Sequence, residues 1–242
     1  MWIIAKKEIS DFFSGWIGYI IMTIFLTSTT LFTWILDNEF NLLKAGFADL
    51  NTFFSLSPIT LIFLLPAICI KSFSNELKTG TIEILFSKPI KDVELVLGKF
   101  IGYLIISIFN IIPTVIYFFG IYSLKDDSAS IDIGSTITSY LGLLLLSCSF
   151  ISISIFSSVL SNNQIATFVI SVFICFFLYF INEFADFIAD PIIYDFINYI
   201  GIKEHYSSLN QGIISIKDLS YFLALNYLFI YLSVVNLNRM KK

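Results

Sequence analysis

Charged residues are scarce in this chain, since Asp, Glu, Lys and Arg make up only 13% of its 242 residues. Hydrophobic residues account for 57%, and the mean hydropathy is +0.87. This composition excludes a soluble globular domain and indicates an integral membrane protein. The formal net charge is −4, so no basic excess is present to hold a polyanion, and nucleic-acid binding is excluded as well.

Cysteine is also rare, and a nucleotide-binding loop is missing. Cys69, Cys148 and Cys175 lie in separate apolar runs without a close Cys or His neighbour, which predicts packing residues rather than disulfides or a metal site. No G-x-x-x-x-G-K-[ST] motif occurs, because Gly98-Lys99 is followed by Phe100 where a P-loop needs a hydroxyl. We therefore expect no catalytic residues, no metal, no directly bound cofactor and no ATPase site.

Long runs without Asp, Glu, Lys or Arg mark the membrane spans. A charge at the bilayer centre costs about 3 kcal/mol, and about 20 apolar residues cross the hydrocarbon. The longest run, 133–182, must cross twice, and its polar cluster from Ser161 to Gln164 favours a tight turn. The sequence thus predicts an all-α protein with six transmembrane helices, at about 15–36, 52–71, 100–124, 135–160, 165–182 and 219–237.

Basic residues are distributed unevenly between the loops. Ten of the 14 lie in the N-terminal tail, in the segment 71–99 or in the C-terminal tail, whereas the other loops hold four lysines and 12 carboxylates. Because basic loops stay in the cytoplasm, both termini are predicted to be cytoplasmic. Before the first span, Trp2, Ile9 and Phe13 recur at helical spacing opposite Lys6 and Lys7, which fits either a helix in the headgroup plane or a slightly extended first span.

The extracytoplasmic loop 183–218 is too long for a simple turn and partly apolar. Placing Glu183, Asp186, Asp190 and Asp195 at membrane depth would cost on the order of 10 kcal/mol, which argues against a seventh span. We expect an amphipathic outer cap or a shallow re-entrant helix, with a break at Pro191.

The predicted spans hold no ionisable side chain away from their ends. Asn110, Tyr117, Tyr140 and Asn226 can form hydrogen bonds between helices but cannot carry a proton at ordinary pH. A gradient-driven carrier usually keeps ionisable groups at mid-depth, so this class is disfavoured. If the chain does work, another protein supplies the energy.

Small residues offer surfaces for close helix contact. Gly98 and Gly102 form a G-x-x-x-G pattern at the start of span 3, and Ser147, Ser154 and Ser158 lie near one face of span 4. These surfaces fit packing within the chain or a subunit interface.

The cytoplasmic segment 74–92, between predicted spans 2 and 3, contains several residues that typically begin or end helices. Gly80 can end the helix that leaves span 2, Thr81 can cap a short new helix, and Glu83 then lies in its first turn. Pro89 stops that helix, and Asp92 can cap the next. A short helix displayed here is either an ordinary interfacial connector or a docking element for a soluble partner.

This segment closely resembles the pattern of ABC-2 type permeases, E-x-x-x-G-T-x-E-x-L-x-S-x-P followed by E-L-V-L-G-K. The residues in register are Glu76, Gly80, Thr81, Glu83, Leu85, Ser87 and Pro89, followed by 94–99. A second family-like pattern precedes the last span, with Leu209 where an aromatic residue is more usual. Its matching residues are Gly212, Ile214, Asp218, Tyr221 and Phe222. Within this family the chain is most similar to gliding-motility permeases of the GldF type, to which 39–54, 132–140 and 162–166 also correspond.

The resemblance implies one ABC-2 type transmembrane domain over 1–242, in a bacterial cytoplasmic (inner) membrane. It implies a dimer with a second copy or a related permease, and a separate ABC ATP-binding subunit of the GldA type that holds ATP and Mg²⁺. A GldG-type accessory membrane protein is implied too. The seven residues in register from 76 to 89 would shape or contact the element that docks on the ATPase. An exporter of a lipid, polysaccharide, drug or ion and a non-transporting scaffold are the alternatives.

Overall fold

The computed structural model describes residues 1–44, 49–87, 90–124, 131–185 and 190–241. In these ranges the chain consists of helices joined by turns, without a strand. The helices are α1 (Trp2–Ser14), α2 (Trp16–Thr30), α3 (Asn51–Cys69), α4 (Ser74–Thr79), α5 (Ile82–Phe86), α6 (Asp92–Ile111), α7 (Val115–Leu124), α8 (Ile133–Leu160), α9 (Gln164–Ala185), α10 (Pro191–Ile200), α11 (Ile202–Asn210) and α12 (Ile216–Met240). A π-helical turn, Leu31–Ile35, continues α2, and a 3-10 turn, Ile112–Thr114, joins α6 to α7.

Six stretches of the described chain are long and apolar enough to cross a membrane. They are Trp16–Ile35, Asn51–Thr79, Asp92–Leu124, Ile133–Leu160, Gln164–Ala185 and Ile216–Met240. Their number and order confirm the predicted all-α architecture with six transmembrane helices. Only residues 161–163 separate α8 from α9, as the polar cluster there predicts.

The fourth span, α8, is the centre of the bundle and packs against α3, α9, α11 and α12. Ser147, Ser154 and Ser158 are fully buried on it. Each donates its hydroxyl to a backbone carbonyl three or four residues earlier in the same helix. A serine bonded in this way presents a small surface, so neighbouring helices can approach closely. The structure therefore places these three serines against neighbours of the same chain.

The N-terminal segment is a separate helix rather than an extension of the first span. It ends where Gly15 adopts an extended conformation, with φ −95° and ψ 141°. Lys6 and Lys7 are exposed, whereas Ala5 and Glu8 are buried against α6. Both ends of the chain reach the same end of the bundle, because Glu8 contacts the first half of α6 and Lys241 contacts its first residue. We call this end the termini face.

The opposite end of the bundle carries α10 and α11. Every residue of α10 is exposed or only partly buried, whereas α11 buries Ile202, His205, Tyr206 and Leu209. Tyr206 donates its hydroxyl to the carbonyl of Phe54 at 2.7 Å. Within the loop 183–218, α10 therefore lies on the surface of the bundle, and α11 packs against α8, α9 and α12. The placement of this loop as an outer cap or a re-entrant helix stays a prediction.

A glycine in α8 makes room for α11. A Cβ atom on Gly142 would lie 2.9 Å from the Cβ of Leu209, closer than packed carbon atoms come. Leu209, which departs from the family pattern, is fully buried at this contact.

The break predicted at Pro191 takes a different form in the structure. Pro191 is the first residue of α10, and Asp190 caps the helix by accepting hydrogen bonds from the amides of Ile192 and Ile193. Proline suits this position because the first helical amides have no partner within the helix. Asp186, one of the four carboxylates that argue against a seventh span, lies outside the described residues.

Candidate functional site

Between α3 and α6 the chain folds into two short helices at the termini face, α4 at the end of the second membrane-spanning stretch and α5 beyond it. The first, α4, ends at Gly80, which adopts φ +71° and ψ 1°. This left-handed conformation is accessible to glycine without the penalty that a Cβ atom brings. The second, α5, follows after Thr81 and contains Glu83 in its first turn, as predicted. Pro89, expected to stop α5, lies outside the described residues.

Two predicted helix caps are wrong. Thr81 has a helical backbone, φ −69° and ψ −11°, and its hydroxyl lies 2.9 Å from the hydroxyl of Thr79 instead of accepting from a backbone amide. A capping side chain usually requires an extended backbone at its own residue, which Lys91 rather than Asp92 provides before α6. Asp92 is the first residue of α6, and its carboxylate accepts a hydrogen bond from Lys241.

The short helix α5 has a side packed against the bundle and an exposed side. Ile82 is buried and Leu85 is partly buried against the main core. Thr81, Glu83 and Ser87 are exposed. One exposed carboxylate, Glu83, is thus displayed on a helix whose apolar residues pack against the bundle.

Glu76 behaves differently from Glu83, because it is buried in an ion-pair cluster. The ammonium of Lys99 lies 2.9 Å from a carboxylate oxygen of Glu76 and 2.9 Å from one of Glu8. It also donates to the carbonyl of Ser72 at 2.5 Å. The second oxygen of Glu8 accepts from the hydroxyl of Tyr103 at 2.6 Å. We call Glu8, Glu76, Lys99 and Tyr103 the buried charge cluster.

The charge cluster joins three parts of the chain around one cation. Glu8 comes from α1, Glu76 from α4 and Lys99 from α6, and Lys99 is only 1% exposed. The ring of Phe73 covers the ammonium at 4.6 Å. A second cation, Lys7, reaches Glu76 at 3.6 Å from the exposed side. Removing one partner of a buried ion pair typically costs 3–5 kcal/mol, so these contacts hold α4 firmly against α1 and α6.

The two glycines of the G-x-x-x-G pattern allow this cluster to form. A Cβ atom on Gly98 would lie 2.9 Å from the Cβ of Ile4, and one on Gly102 would lie 3.0 Å from the Cβ of Glu8. Larger residues would push α1 away from α6 and draw Glu8 away from Lys99. Gly98 and Gly102 therefore face a helix of the same chain.

The C-terminal end of α12 forms a second link to this region. The ammonium of Lys241 binds Asp92 at the start of α6 and lies 4.7 Å from the centre of the Phe86 ring at the end of α5. A third link comes from the first residue of α9, Gln164, which donates to the side-chain oxygen of Asn75 at 3.2 Å. The two short helices are thus connected to spans 3, 5 and 6 and to α1.

A family model described as ABC-2 family transporter protein matches residues 2–238. The chain belongs to the ABC-2 transporter family. Its model match covers nearly the whole chain, so the protein is a multi-pass membrane permease subunit of an ABC transporter. Membership also implies an ABC ATP-binding partner. No curated protein shows significant similarity to the chain.

In this ABC-2 permease, sequence reasoning placed the connector correctly but missed Glu8 and Lys241. Glu8 follows Ala5 by three residues and precedes Phe12 by four, so it lies on the apolar face of α1, where a charged residue needs a buried partner. That spacing is a signal that could have identified Glu8. Lys241 carries no such signal, because its partner Asp92 is 149 residues away along the chain.

Within the described ranges, no group of three or more His, Cys, Asp and Glu side chains could hold a metal ion. At the termini face, α5 exposes polar side chains, and ion pairs connect the neighbouring residues Glu76 and Asp92 to α1, α6 and the end of α12.

Proposed function

We propose that this ABC-2 permease couples ATP hydrolysis on a separate subunit to movement of its own membrane helices, and that α5 is the docking element. The proposal rests on a contrast within the segment between α3 and α6, where a helix with an exposed side lies between residues that form ion pairs. Glu83 is exposed on α5, while the residues flanking that helix are held to α1, α6 and α12 by buried or partly buried ion pairs. Force applied to α5 is therefore passed to several spans.

ATP and Mg²⁺ would bind on the partner subunit, and the chain itself would act as one transmembrane domain. The termini face would lie in the cytoplasm, where its excess of basic residues is favoured. Closure of the nucleotide-bound partner would shift the permease between two arrangements, because the partner contacts α5 differently in each. Glu76, Gly80, Thr81, Leu85, Ser87 and Pro89 would support the shape or contacts of this element.

A bacterial inner membrane and a gliding-motility role are the finer part of the proposal. The similarity to GldF-type permeases supports a GldA-type ATPase, a GldG-type accessory protein and a second copy or related permease as partners. The exporter alternative keeps the same coupling and changes only the substrate. A non-transporting scaffold would bind the ATPase without altering its rate.

The test is ATPase activity in the complex purified gently from its native membrane, with the native permease, Glu83→Arg or Asp11→Arg. Both substitutions reverse an exposed acidic charge, but Asp11 lies on α1 rather than on α5. We expect the partner to be lost or its activity to be uncoupled only in Glu83→Arg. Equal coupling in all three proteins would reject α5 as the docking element, and absence of any nucleotide-binding partner would reject the ABC function.

A further inference from the structure

The chain contains a single histidine, His205, and it is buried in α11 at 1% exposure. Its Nδ1 atom lies 2.7 Å from a carboxylate oxygen of Asp218, at the start of α12. Its Nε2 atom lies 3.0 Å from the carbonyl oxygen of Tyr199, near the end of α10. The imidazole also stacks on the ring of Tyr221 with 3.9 Å between ring centres. One side chain thus joins all three helices of this end of the bundle.

Both hydrogen-bond partners of His205 are acceptors. A backbone carbonyl cannot donate, and an ionised carboxylate cannot donate either. A neutral imidazole carries one N–H, so one of its nitrogens would point a lone pair at an oxygen. The two short contacts therefore require two protons. Two protons are also required if the proton between Nδ1 and Asp218 lies closer to the carboxylate oxygen than to the nitrogen.

The surroundings offer His205 one direct counter-ion among the described residues, Asp218, which is 4% exposed. The other charged side chains nearby have different partners or face solvent. Lys203 pairs with Glu183 of α9 at 2.8 Å, Glu204 is exposed, and Lys217 lies 5.3 Å from the centre of the Tyr199 ring. Among the other titratable groups on the packed elements, Tyr194 and Asp195 of α10 are exposed, and Tyr179 of α9 is buried. Tyr199 and Tyr221 contact the imidazole ring, and Tyr206 donates to the carbonyl of Phe54.

We propose that His205 and Asp218 form a proton-operated latch that holds α10 and α11 against the bundle. In the protonated form, the imidazolium neutralises the buried carboxylate and donates to both oxygens. When the proton leaves to solvent, Asp218 keeps its charge in a buried place without a cation, and one acceptor loses its donor. Both changes weaken the closed arrangement. The latch responds to acidity in the compartment that faces α10 and α11.

The experiment uses the full-length permease in lipid nanodiscs with ¹⁵N-labelled histidine, so that a single imidazole is observed. The reporter is Leu209→Cys, in a background where Cys69, Cys148 and Cys175 are replaced by Ala. Its maleimide labelling rate is divided by that of Ile213→Cys, an exposed position, which cancels the pH dependence of the thiol itself. At low pH we expect both ring nitrogens to be protonated and the ratio of the two labelling rates to be low. The ratio should rise several-fold as the pH is raised and the imidazole loses its proton.

The matched control is His205→Gln in the same reporter background, which we expect to remove the pH dependence of the ratio. A ratio that changes equally with pH in His205→Gln would overturn the latch. The latch would also be overturned if His205 is present and its imidazole is neutral while the cysteine at position 209 remains protected from labelling. Since the second result needs no substitution at His205, the proposal stays testable if the Gln variant does not fold.

Discussion

At the residue scale, the central feature is a lysine shared by two buried carboxylates. Lys99 lies in the first half of α6, and its partners Glu8 and Glu76 lie 91 and 23 residues away along the chain. From sequence, Glu76 is recognisable as part of the family pattern. The ion pairing itself could not be predicted, because it depends on how closely α1 approaches α6, and sequence reasoning left the form of the N-terminal segment open.

Replacing Lys99 by Met should strongly destabilise the permease, because Glu8 and Glu76 would lose their common buried cation. We expect a loss of about 3–5 kcal/mol in the free energy of unfolding. Denaturant unfolding in detergent micelles measures this loss. Lys6→Met is the control, since Lys6 is exposed and its loss should change stability by less than about 0.5 kcal/mol. Equal effects of the two substitutions would show that the charge cluster does not stabilise the fold.

A second residue-scale prediction concerns the glycines beneath α1. Gly98→Leu should cost about 1–3 kcal/mol, because its Cβ atom would be 2.9 Å from both Ile4 and the carbonyl of Met1. Gly15→Leu, where the nearest atom to the added Cβ is 3.7 Å away, is the matched control. Thermal unfolding of both variants in the same micelles measures the difference. If the unfolding temperature of Gly98→Leu equals that of the native protein, α1 does not pack on α6 as described.

At the element scale, the spans were predictable and the short helices only in part. Uncharged runs locate the spans because a charge inside the bilayer is costly, and this physical rule does not depend on tertiary structure. The caps of α5 and α6 were assigned wrongly because local propensity was overridden. The carboxylate of Asp92 accepts a hydrogen bond from Lys241, which lies 149 residues further along the chain. Thr81 has a helical backbone conformation. The insertion of α11 also depends on a distant residue, Gly142, whose role no local pattern reveals.

The insertion of α11 can be tested through its hydrogen bond to α3. Burial raises the pKa of the Tyr206 hydroxyl well above its ordinary value, so the group stays protonated and donates to the carbonyl of Phe54. Tyr206→Phe should cost about 1–3 kcal/mol, because that carbonyl loses its donor. Tyr194→Phe, at an exposed position of α10, should have little effect. Hydrogen exchange that leaves α11 equally protected in both variants would contradict this contact.

At the scale of the whole molecule, the permease has the proposed docking helix, α5, at one end and the contacts of His205 with α10 and α12 at the other. Family membership and the six-helix architecture explain why the chain needs a partner for energy. In the coupling that we propose, the energy enters at α5, which is linked to α1 and α6 through α4 and to Lys241 through Phe86. Composition and motifs could indicate the partner, but these contacts appear only in the folded chain.

The most direct test of this account is a spin-label distance between Lys6→Cys on α1 and Ile137→Cys on α8, in a background where Cys69, Cys148 and Cys175 are replaced by Ala. The distance is measured in the purified complex with and without bound nucleotide. We predict that nucleotide changes the distance in an otherwise native permease and in Asp11→Arg, but not in Glu83→Arg. The same nucleotide-dependent change in Glu83→Arg would contradict coupling through α5. So would an unchanged distance in the otherwise native permease while its partner binds and hydrolyses ATP.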